Sequence, residues 1–379
     1  MQVKLIRQLD EIAPQAWNAL EGGIDNPFLR HEFLAGLERH DCVGKQWGWL
    51  PHHLALYQGE RLIGAVPMYL KYNSYGELVF DWAWADAYQR AGLNYYPKLV
   101  SAVPYSPVSG PRLLVAADAD RGQVATVLMR EAQALAIDLQ VSSLHWLFPH
   151  ENDMQRLEAR GFMRRSGTQF HWHNRGYRDF DHYLASFSAQ KRKKLKRERR
   201  RVAEQGITIE CLDGHRATAD QWQIFHHFYR STFDKRGGYP TLSEPFFRHL
   251  GESLPQSVVL MLASYEGRYV AGALSLRSGD TLYGRHWGCE EDFHSLHFEL
   301  CYYQGLDYCI AHGLQRFEPG AQGEHKVGRG FEPVPTWSAH WLADPTFARA
   351  VADYLAREQE TMQEYMQELT QHLPFKRSE

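Results

Sequence analysis

The sequence predicts a mixed α/β protein built from two related halves with a basic helix between them. Three observations carry that prediction: two blocks of internal similarity in the same order, a strand-turn-strand pattern in each half, and one dense run of positive charge between the halves. At 379 residues the chain is long for one core and suits two. Apolar residues make up 44% and charged residues 23%, the balance of a folded soluble protein. No run of ~18 apolar residues marks a membrane span. The start, MQVKLIRQLDEIAPQAWNAL, lacks an apolar core followed by a small-residue cleavage site, so no signal peptide is expected. Five cysteines with no CxxC pair fit a reduced, cytoplasmic setting.

The strand patterns come first. His52 to Leu70 reads as two strands around a Gln58-Gly59-Glu60 turn, and Val258 to Ser278 reads the same way. At a shift of 208, Ala55, Tyr57, Gly59, Gly64 and Ala65 fall on Ala263, Tyr265, Gly267, Gly272 and Ala273. The first glycine of each set suits a turn with positive φ; the second, inside a strand, suits a bulge or a close backbone approach. A helical run then precedes a short strand in each half, Arg121 to Leu139 before SSLHWLF and Leu296 to His312 before GLQRFEP. At a shift of 169, Arg160-Gly161-Phe162 falls on Arg329-Gly330-Phe331 and His171-Trp172 on His340-Trp341. The change of shift requires extra residues in the first half, placed at 72–110. Domains are therefore expected at 1–175 and 208–379, with the basic segment 176–207 joining them.

That segment contains KRKKLKRERRR, Lys191 to Arg201, with nine basic residues and one acid. It holds a formal +8 in a chain whose net charge is −3, so the remainder is distinctly acidic. Leu184, Phe187, Leu195 and Val202 form one apolar stripe, and Gly206 supplies a stop. Either the charges are a solvated face, or they bind a phosphate-bearing donor or an anionic membrane surface.

The Gly-Phe after a short helix, the Tyr-x-Gly hairpin and the helix-strand pair between them resemble the GNAT acyltransferase fold. Two copies with a basic helix resemble its Fem-type branch. More narrowly, NPFLRHEFLAGLE, YGELVFDWAWADAY, RKKLKRERR and RFEPGAQGEHKVGRGFEP are similar to the FemAB-like N-acyltransferases, over Asn26 to about Glu360. The resemblance implies two tandem GNAT-like domains and transfer of an acyl or aminoacyl group from a CoA thioester or aminoacyl-tRNA to an amine, on a small molecule or a cell-wall precursor. It also implies two parallel strands that splay around the donor, about Thr281 to Gly288 and Gln315 to Pro319. The competing class is a non-catalytic binding protein for a phosphate-bearing or cell-wall-precursor ligand. Oligomeric state is not legible.

Such a reaction needs a group to take a proton from the amine and groups to stabilise the oxyanion. Glu318 ends the second strand and is a candidate base, or else a salt-bridge partner of Arg285 or Arg329. His286 is the alternative base, because its ordinary pKa is near neutral; alternation puts it on one face with Gly284 and Gly288, leaving backbone open to a donor. A packed core histidine is the other reading. His325 and Lys326 follow in the loop, and the resemblance implies a functional lysine there. Donor contacts are expected from Arg285, Gly288, Gly320 and Gly323, with Arg192 and Arg199 on the basic helix holding CoA or tRNA phosphates. The acceptor is expected at the insertion, where nine aromatics in 39 residues exceed the chain average and Asp81, Trp82, Trp84, Asp86, Tyr88 and Arg90 crowd together. The other reading is Trp82 and Trp84 alternating on a buried strand.

The Gly-rich loop is neither a Walker loop nor GxGxxG, since Lys326 stands at the wrong offset with no Ser or Thr after it. The Gln/Arg-x-x-Gly-x-Gly/Ala signature of CoA binding is absent too, which leaves the donor open. Glu291, His294, His297 and Glu299 match no standard zinc spacing, so no metal is expected.

Overall fold

A computed structural model describes residues 1–20, 25–291, 293–321 and 323–376. The chain begins with β1 (Gln2–Ile6), α1 (Pro14–Asn18) and α2 (His31–Arg39). A long hairpin follows whose two arms are each interrupted. β2 (Trp49–Pro51) and β3 (His53–Gln58) make one arm, β4 (Arg61–Val66) and β5 (Met68–Lys71) the other. Pro67 has no N–H for a ladder, and there the hairpin passes between sheets. β3 and β4 join β1 and β7 (Leu114–Val115) in a four-stranded sheet of order β1-β3-β4-β7. β2 and β5 continue into β6 (Lys98–Ser101), which runs parallel to β8 (Ser143–Leu147). α3 (Trp82–Arg90) lies between β5 and β6 in sequence, and α4 (Arg121–Asp138) and α5 (Glu151–Ala159) flank β8. β6 is therefore the counterpart of β13, and the largest block of extra residues lies between β5 and β6, from Tyr72 to Pro97, with the rest following β6.

After β9 (Met163–His173) come α6 (Phe180–Ala185), α7 (Ala189–Glu204), β10 (Thr208–Leu212), α8 (Ala219–Arg236) and α9 (Glu244–Ser253). The second hairpin is β11 (Val258–Tyr265) with β12 (Arg268–Arg277), followed after a tight turn by β13 (Thr281–Cys289). Next is a helix in three parts: α10 (Leu296–Phe298), a π turn at Glu299–Tyr303 and α11 (Gln304–Ala311). β14 (Arg316–Glu318), a 3₁₀ turn at Glu324–Arg329, β15 (Glu332–Leu342) and α12 (Pro345–Gln371) complete the chain.

The two compact units are Met1–Gly167 with Pro335–Glu364, and Thr168–Val334 with Tyr365–Glu379. They are not the continuous segments 1–175 and 208–379. β9 starts in the first unit and ends in the second, and β15 does the reverse. In the second unit the sheet order is β10-β11-β12-β13-β14-β9, so the last strand of the first half pairs with β14, Trp172 opposite Phe317. In the first unit the order is β15-β8-β6-β5-β2, with Trp341 opposite Leu144. The halves have exchanged their final strands. Nor is 176–207 a free linker: Leu184, Phe187, Leu195 and Val202 are all buried in the core of the second unit. The stripe runs over two helices, because α6 ends at Ala185 and α7 starts at Ala189.

The repeated glycines have a packing cause. A Cβ on Gly64 would meet Val124 of α4 at 2.5 Å, and one on Gly272 would meet Phe225 of α8 at 3.0 Å. Each glycine lets the main helix of its unit lie close on the hairpin. Gly288 is tighter still, since its Cβ would stand 1.8 Å from the carbonyl oxygen of Phe228. Gly288→Ala is expected to cost about 3 kcal/mol or more, because helix backbone rather than a movable side chain must shift; urea unfolding measures it.

Candidate functional site: the end of a parallel strand pair

In the second unit β13 and β14 run parallel for three rungs, Thr281 with Arg316, Leu282 with Phe317 and Tyr283 with Glu318. There the pairing stops, while β13 continues to Cys289. Glu318 stands at the point of parting. It is 2% exposed, its Oε1 lies 3.1 Å from Arg316 Nε, and its Oε2 has no hydrogen-bond partner. Burial pushes its pKa up to about 7 against the pull of Arg316 and Arg285. At the same position the first unit has Phe148. There the strand end is closed: Gly110 bridges to Pro149, its N–H donates to Phe148 O, and buried Arg112 donates to Leu147 O at 2.8 Å. Only the second unit keeps a carboxylate at an unpaired strand end.

Two loop residues complete the surroundings. Lys326 is 2% exposed and donates from Nζ to Gly320 O at 2.7 Å. Burial, reinforced by Arg285, lowers its pKa to about 7. His325 Nε2 meets Tyr302 Oη at 2.8 Å, and burial with the charges of Arg329 and Lys326 keeps the ring neutral. Tyr302 is placed by the π turn, a device that re-aims side chains within a helix. Gly320 and Gly323, with φ of 93° and 118°, shape the loop rather than line it; a Cβ on Gly323 would strike the His325 ring.

The loop is tied to the basic helix by the one acid in that helix's cationic run. Glu198 falls on the buried stripe with Leu195 and Val202. It accepts from Arg329 Nη2 at 2.9 Å and from the Tyr303 hydroxyl. Arg329 also donates to His325 O at 2.8 Å and stacks on Phe298 at 3.5 Å. Gly330 follows as the left-handed cap, where a Cβ would clash with the Tyr183 hydroxyl. Arg329, Gly330 and Phe331 thus hold the loop. Next to Glu198, Arg199 donates to Glu299 and Asp307 at 2.9 and 2.7 Å and stacks on Phe180. Arg199 is a structural brace.

Arg192 borders a groove of about 940 Å³ with Lys193, Lys196, Arg197, Arg200 and the braced Arg199, lined also by Phe180 and Leu184. Asp179, Asp181 and Asp307 also line it, and Lys196 pairs with Asp181 at 2.7 Å. Cations outnumber acids, so the groove favours an anion.

Several expected residues are placed elsewhere. Arg285 is the extra residue of a bulge, since Leu274 opposes His286 while Ser275 opposes Gly284. That bulge breaks the alternation: Gly284 and His286 face opposite sides. His286 turns to α8 and α9, with its ring 5.1 Å from that of Tyr229 and 6.0 Å from Phe247. Burial and Arg285 lower its pKa to about 3, so it is a packed core histidine and a poor base at neutral pH. Gly288 faces α8, whose backbone at Phe228 covers it. Arg285 itself stays at the site, its charge acting on both Glu318 and Lys326.

The six insertion residues are dispersed by α3, which is a helix and not a strand. Trp84 and Tyr88, four apart, face inward; Trp84 packs on His340 at 4.9 Å and Tyr88 on Phe347 at 4.0 Å. Asp86 and Arg90 form an exposed pair at 2.9 Å. Asp81 is 3% exposed and bonded to Lys98. Trp82 alone among the aromatics of α3 points to solvent.

His171 was legible only as a repeated residue. It sits one position beyond the last β9–β14 rung, and the charges of Arg316, Lys326 and Arg285 all act on it. The exchanged strand therefore brings a first-half histidine to the second unit's site. Buried and hydrogen-bonded to Gln169 at 3.1 Å, it is held well below its usual pKa. Among the described residues no group of three or more side chains could hold a metal ion, and no helix is long and apolar enough to cross a membrane.

Comparison with known proteins follows the same line. FemX, 12% identical, superposes with a TM-score of 0.54 over 93% of this chain and 100% of its own. L-PGS from Bacillus licheniformis, 10% identical, gives 0.52 over 86% and 95%. The C-terminal domain of a putative lysylphosphatidylglycerol synthetase from Agrobacterium fabrum, 10% identical, gives 0.52 over 85% and 90%. At such identities these similarities speak for the fold. No curated protein matches the chain in sequence. The FemAB-like family, described as peptidoglycan biosynthesis/recognition, matches residues 8–377. Matched over nearly its whole length, residues 8–377, the chain belongs to the FemAB-like family.

Proposed function

We propose that the protein is an N-acyltransferase whose reaction centre is the open strand end of the second unit. The observation that carries this reading is Glu318: a buried carboxylate with an unpartnered oxygen and a pKa near 7, placed where two parallel strands separate. A general base works best when its pKa matches the working pH. Glu318 takes a proton from the acceptor ammonium, and the free amine attacks the carbonyl carbon of the donor. Lys326, as ammonium, and Arg285 stabilise the oxyanion. Collapse forms the amide and expels the donor's thiolate or ribose alkoxide, which takes a proton from the Tyr302–His325 pair; the second proton of the attacking nitrogen leaves as the amide forms and restores that pair through water. The donor is a CoA thioester or an aminoacyl-tRNA, its phosphates lying in the groove beside Arg192. The family description supports an amine of a cell-wall precursor as the acceptor, and the chemistry suits the cytoplasm, where both donors are made.

The experiment is a panel of acyl-CoA and aminoacyl-tRNA donors with amine acceptors. Turnover that falls ~100-fold in Lys326→Ala supports the centre. Charge reversal at Arg192 and Lys193 should raise the donor KM, most at low salt, and leave kcat within about twofold. Ligand binding with no turnover under any pairing would favour a binding protein.

A further inference from the structure

The first unit contains a buried charged cluster that the proposed reaction does not use. Lys98, fully buried at the start of β6, donates to Ser74 Oγ at 2.9 Å, to Glu77 at 2.8 Å and to Asp81. Lys71, also fully buried, donates to Tyr75 O at 3.0 Å and stands 3.7 Å from the Trp49 ring. All these contacts converge on one segment. Trp49 Nε1 also donates to Tyr75 O, Tyr105 N–H to Gly76 O, and Arg165 Nη1 to Phe80 O, at 3.0, 3.0 and 2.7 Å. A loop of this length is ordinarily held by few fixed contacts. Here its carbonyls and its two acids are gripped from beneath.

What the loop presents outward is uniform. Tyr72, Tyr75, Phe80 and Trp82 are 50%, 59%, 53% and 41% exposed, with the Tyr75 and Trp82 rings 5.1 Å apart. Leu93 beyond α3 is 45% exposed. Exposed large apolar side chains are otherwise scattered singly along the described chain. From Tyr72 to Ala85 the only charged residues are Glu77 and Asp81, and both are turned inward to Lys98. From Tyr72 to Ala85 the outer face therefore shows aromatic rings and no charge, and it is bordered on the Trp82 side of α3 by the mutually paired Asp86 and Arg90.

We propose that this loop is a lipid-contact surface that seats its aromatic side chains at the headgroup level of a bilayer. Tyr and Trp suit that depth because one end of each ring is apolar and the other polar, and Phe adds apolar depth. Inward-turned acids remove the desolvation cost that an exposed carboxylate would impose there. A glycan platform would instead surround its rings with exposed hydrogen-bonding groups, which the segment keeps inside. The buried cluster acts as a pedestal: it fixes the backbone, so the rings are held out before contact. This surface is independent of the reaction assigned to the second unit.

The test is cosedimentation of the full chain with vesicles of equal parts phosphatidylcholine and phosphatidylglycerol, at low salt and at about 0.5 M salt, where screening removes attraction by the basic helix. A salt-resistant fraction is expected. It should drop about tenfold or more in Phe80→Ser/Trp82→Ser, since each change removes an insertable aromatic side chain. Tyr72→Ser/Tyr75→Ser gives an independent pair, and unchanged melting temperatures show that each variant folds. Binding abolished by salt in the wild type, or equal in both pairs and wild type, overturns the proposal. So does an absence of vesicle binding together with loop-dependent retention on soluble glycan strands.

Discussion

Glu318→Gln is expected to lower kcat/KM by about 10²–10⁴-fold while leaving the fold intact, because glutamine keeps the shape and removes the proton acceptor. The pH profile is the sharper readout. Glu318 must be ionised to act, so activity rises as pH passes about 7. Lys326 must be protonated to steady the oxyanion, so activity falls as pH passes about 7. The wild type should therefore show a narrow bell centred near neutrality, and Lys326→Arg should carry the alkaline limb upward because a guanidinium stays charged. The same substitution at Glu318 is expected to stabilise the protein. Its folded pKa is raised, so between about 4.5 and 7 the folded state binds more protons than the unfolded state, and wild-type stability declines as pH rises through that window. At pH ~8 the wild-type native state holds a buried carboxylate and the Glu318→Gln variant does not, a gain of up to about 3 kcal/mol that shrinks toward pH ~5. Urea unfolding of both proteins at the two pH values measures it. Equal pH dependence would show that Glu318 titrates normally.

Lys98→Met is expected to cost the first unit about 3–5 kcal/mol, because it leaves two buried carboxyls without their cation. The melting temperature should fall on the order of 10 °C. Burial already pushes Glu77 up to about 7 even beside Lys98, and it opposes ionisation of Asp81, whose carboxyl Lys98 holds well below the usual range. Asp81 thus contributes stability in the wild type that is lost as pH falls through its depressed pKa. In the variant both carboxyls protonate readily, so the deficit should shrink from pH 8 toward pH 4 and fall further only below the usual carboxylate range, where the wild type loses the Asp81 contribution. Adding Glu77→Gln and Asp81→Asn should recover part of the loss. A constant deficit across pH would mean that lost packing, not unpaired charge, dominates.

The repeat was legible because packing leaves marks on both copies. Gly64 and Gly272 admit a helix, and the Arg-Gly-Phe of the second half caps a turn. The strand exchange was not legible: similarity tells which segments are alike, not which sheet each joins, so His171 read as a fold residue. Glu318 and Lys326 stood out because the other half has nothing like them. His286 was misplaced by a single bulged residue, since one extra residue flips every face beyond it. Aromatic density in the insertion suggested a pocket wall, yet Trp84 and Tyr88 have the i, i+4 spacing of a helix face turned inward. Glu198 was hidden among nine cations, although its offsets from Leu195 and Val202 put it on the buried stripe.

The exchanged strands set the order in which the chain is able to fold as it is synthesised. The first unit needs Pro335–Glu364, which supplies Ala339, Leu342, Val351 and Leu355 to its cores. It cannot close on the ribosome when its own first half emerges; it must wait for nearly the whole protein. The second unit has its borrowed strand, β9, available from the outset. Yet it also takes Tyr365–Glu379, with Leu369 in its core, so both units close only on the last segments to be made. A premature stop shortly before residue 335 would leave the first unit without Pro335–Glu364 and the second without Tyr365–Glu379 and its buried Leu369.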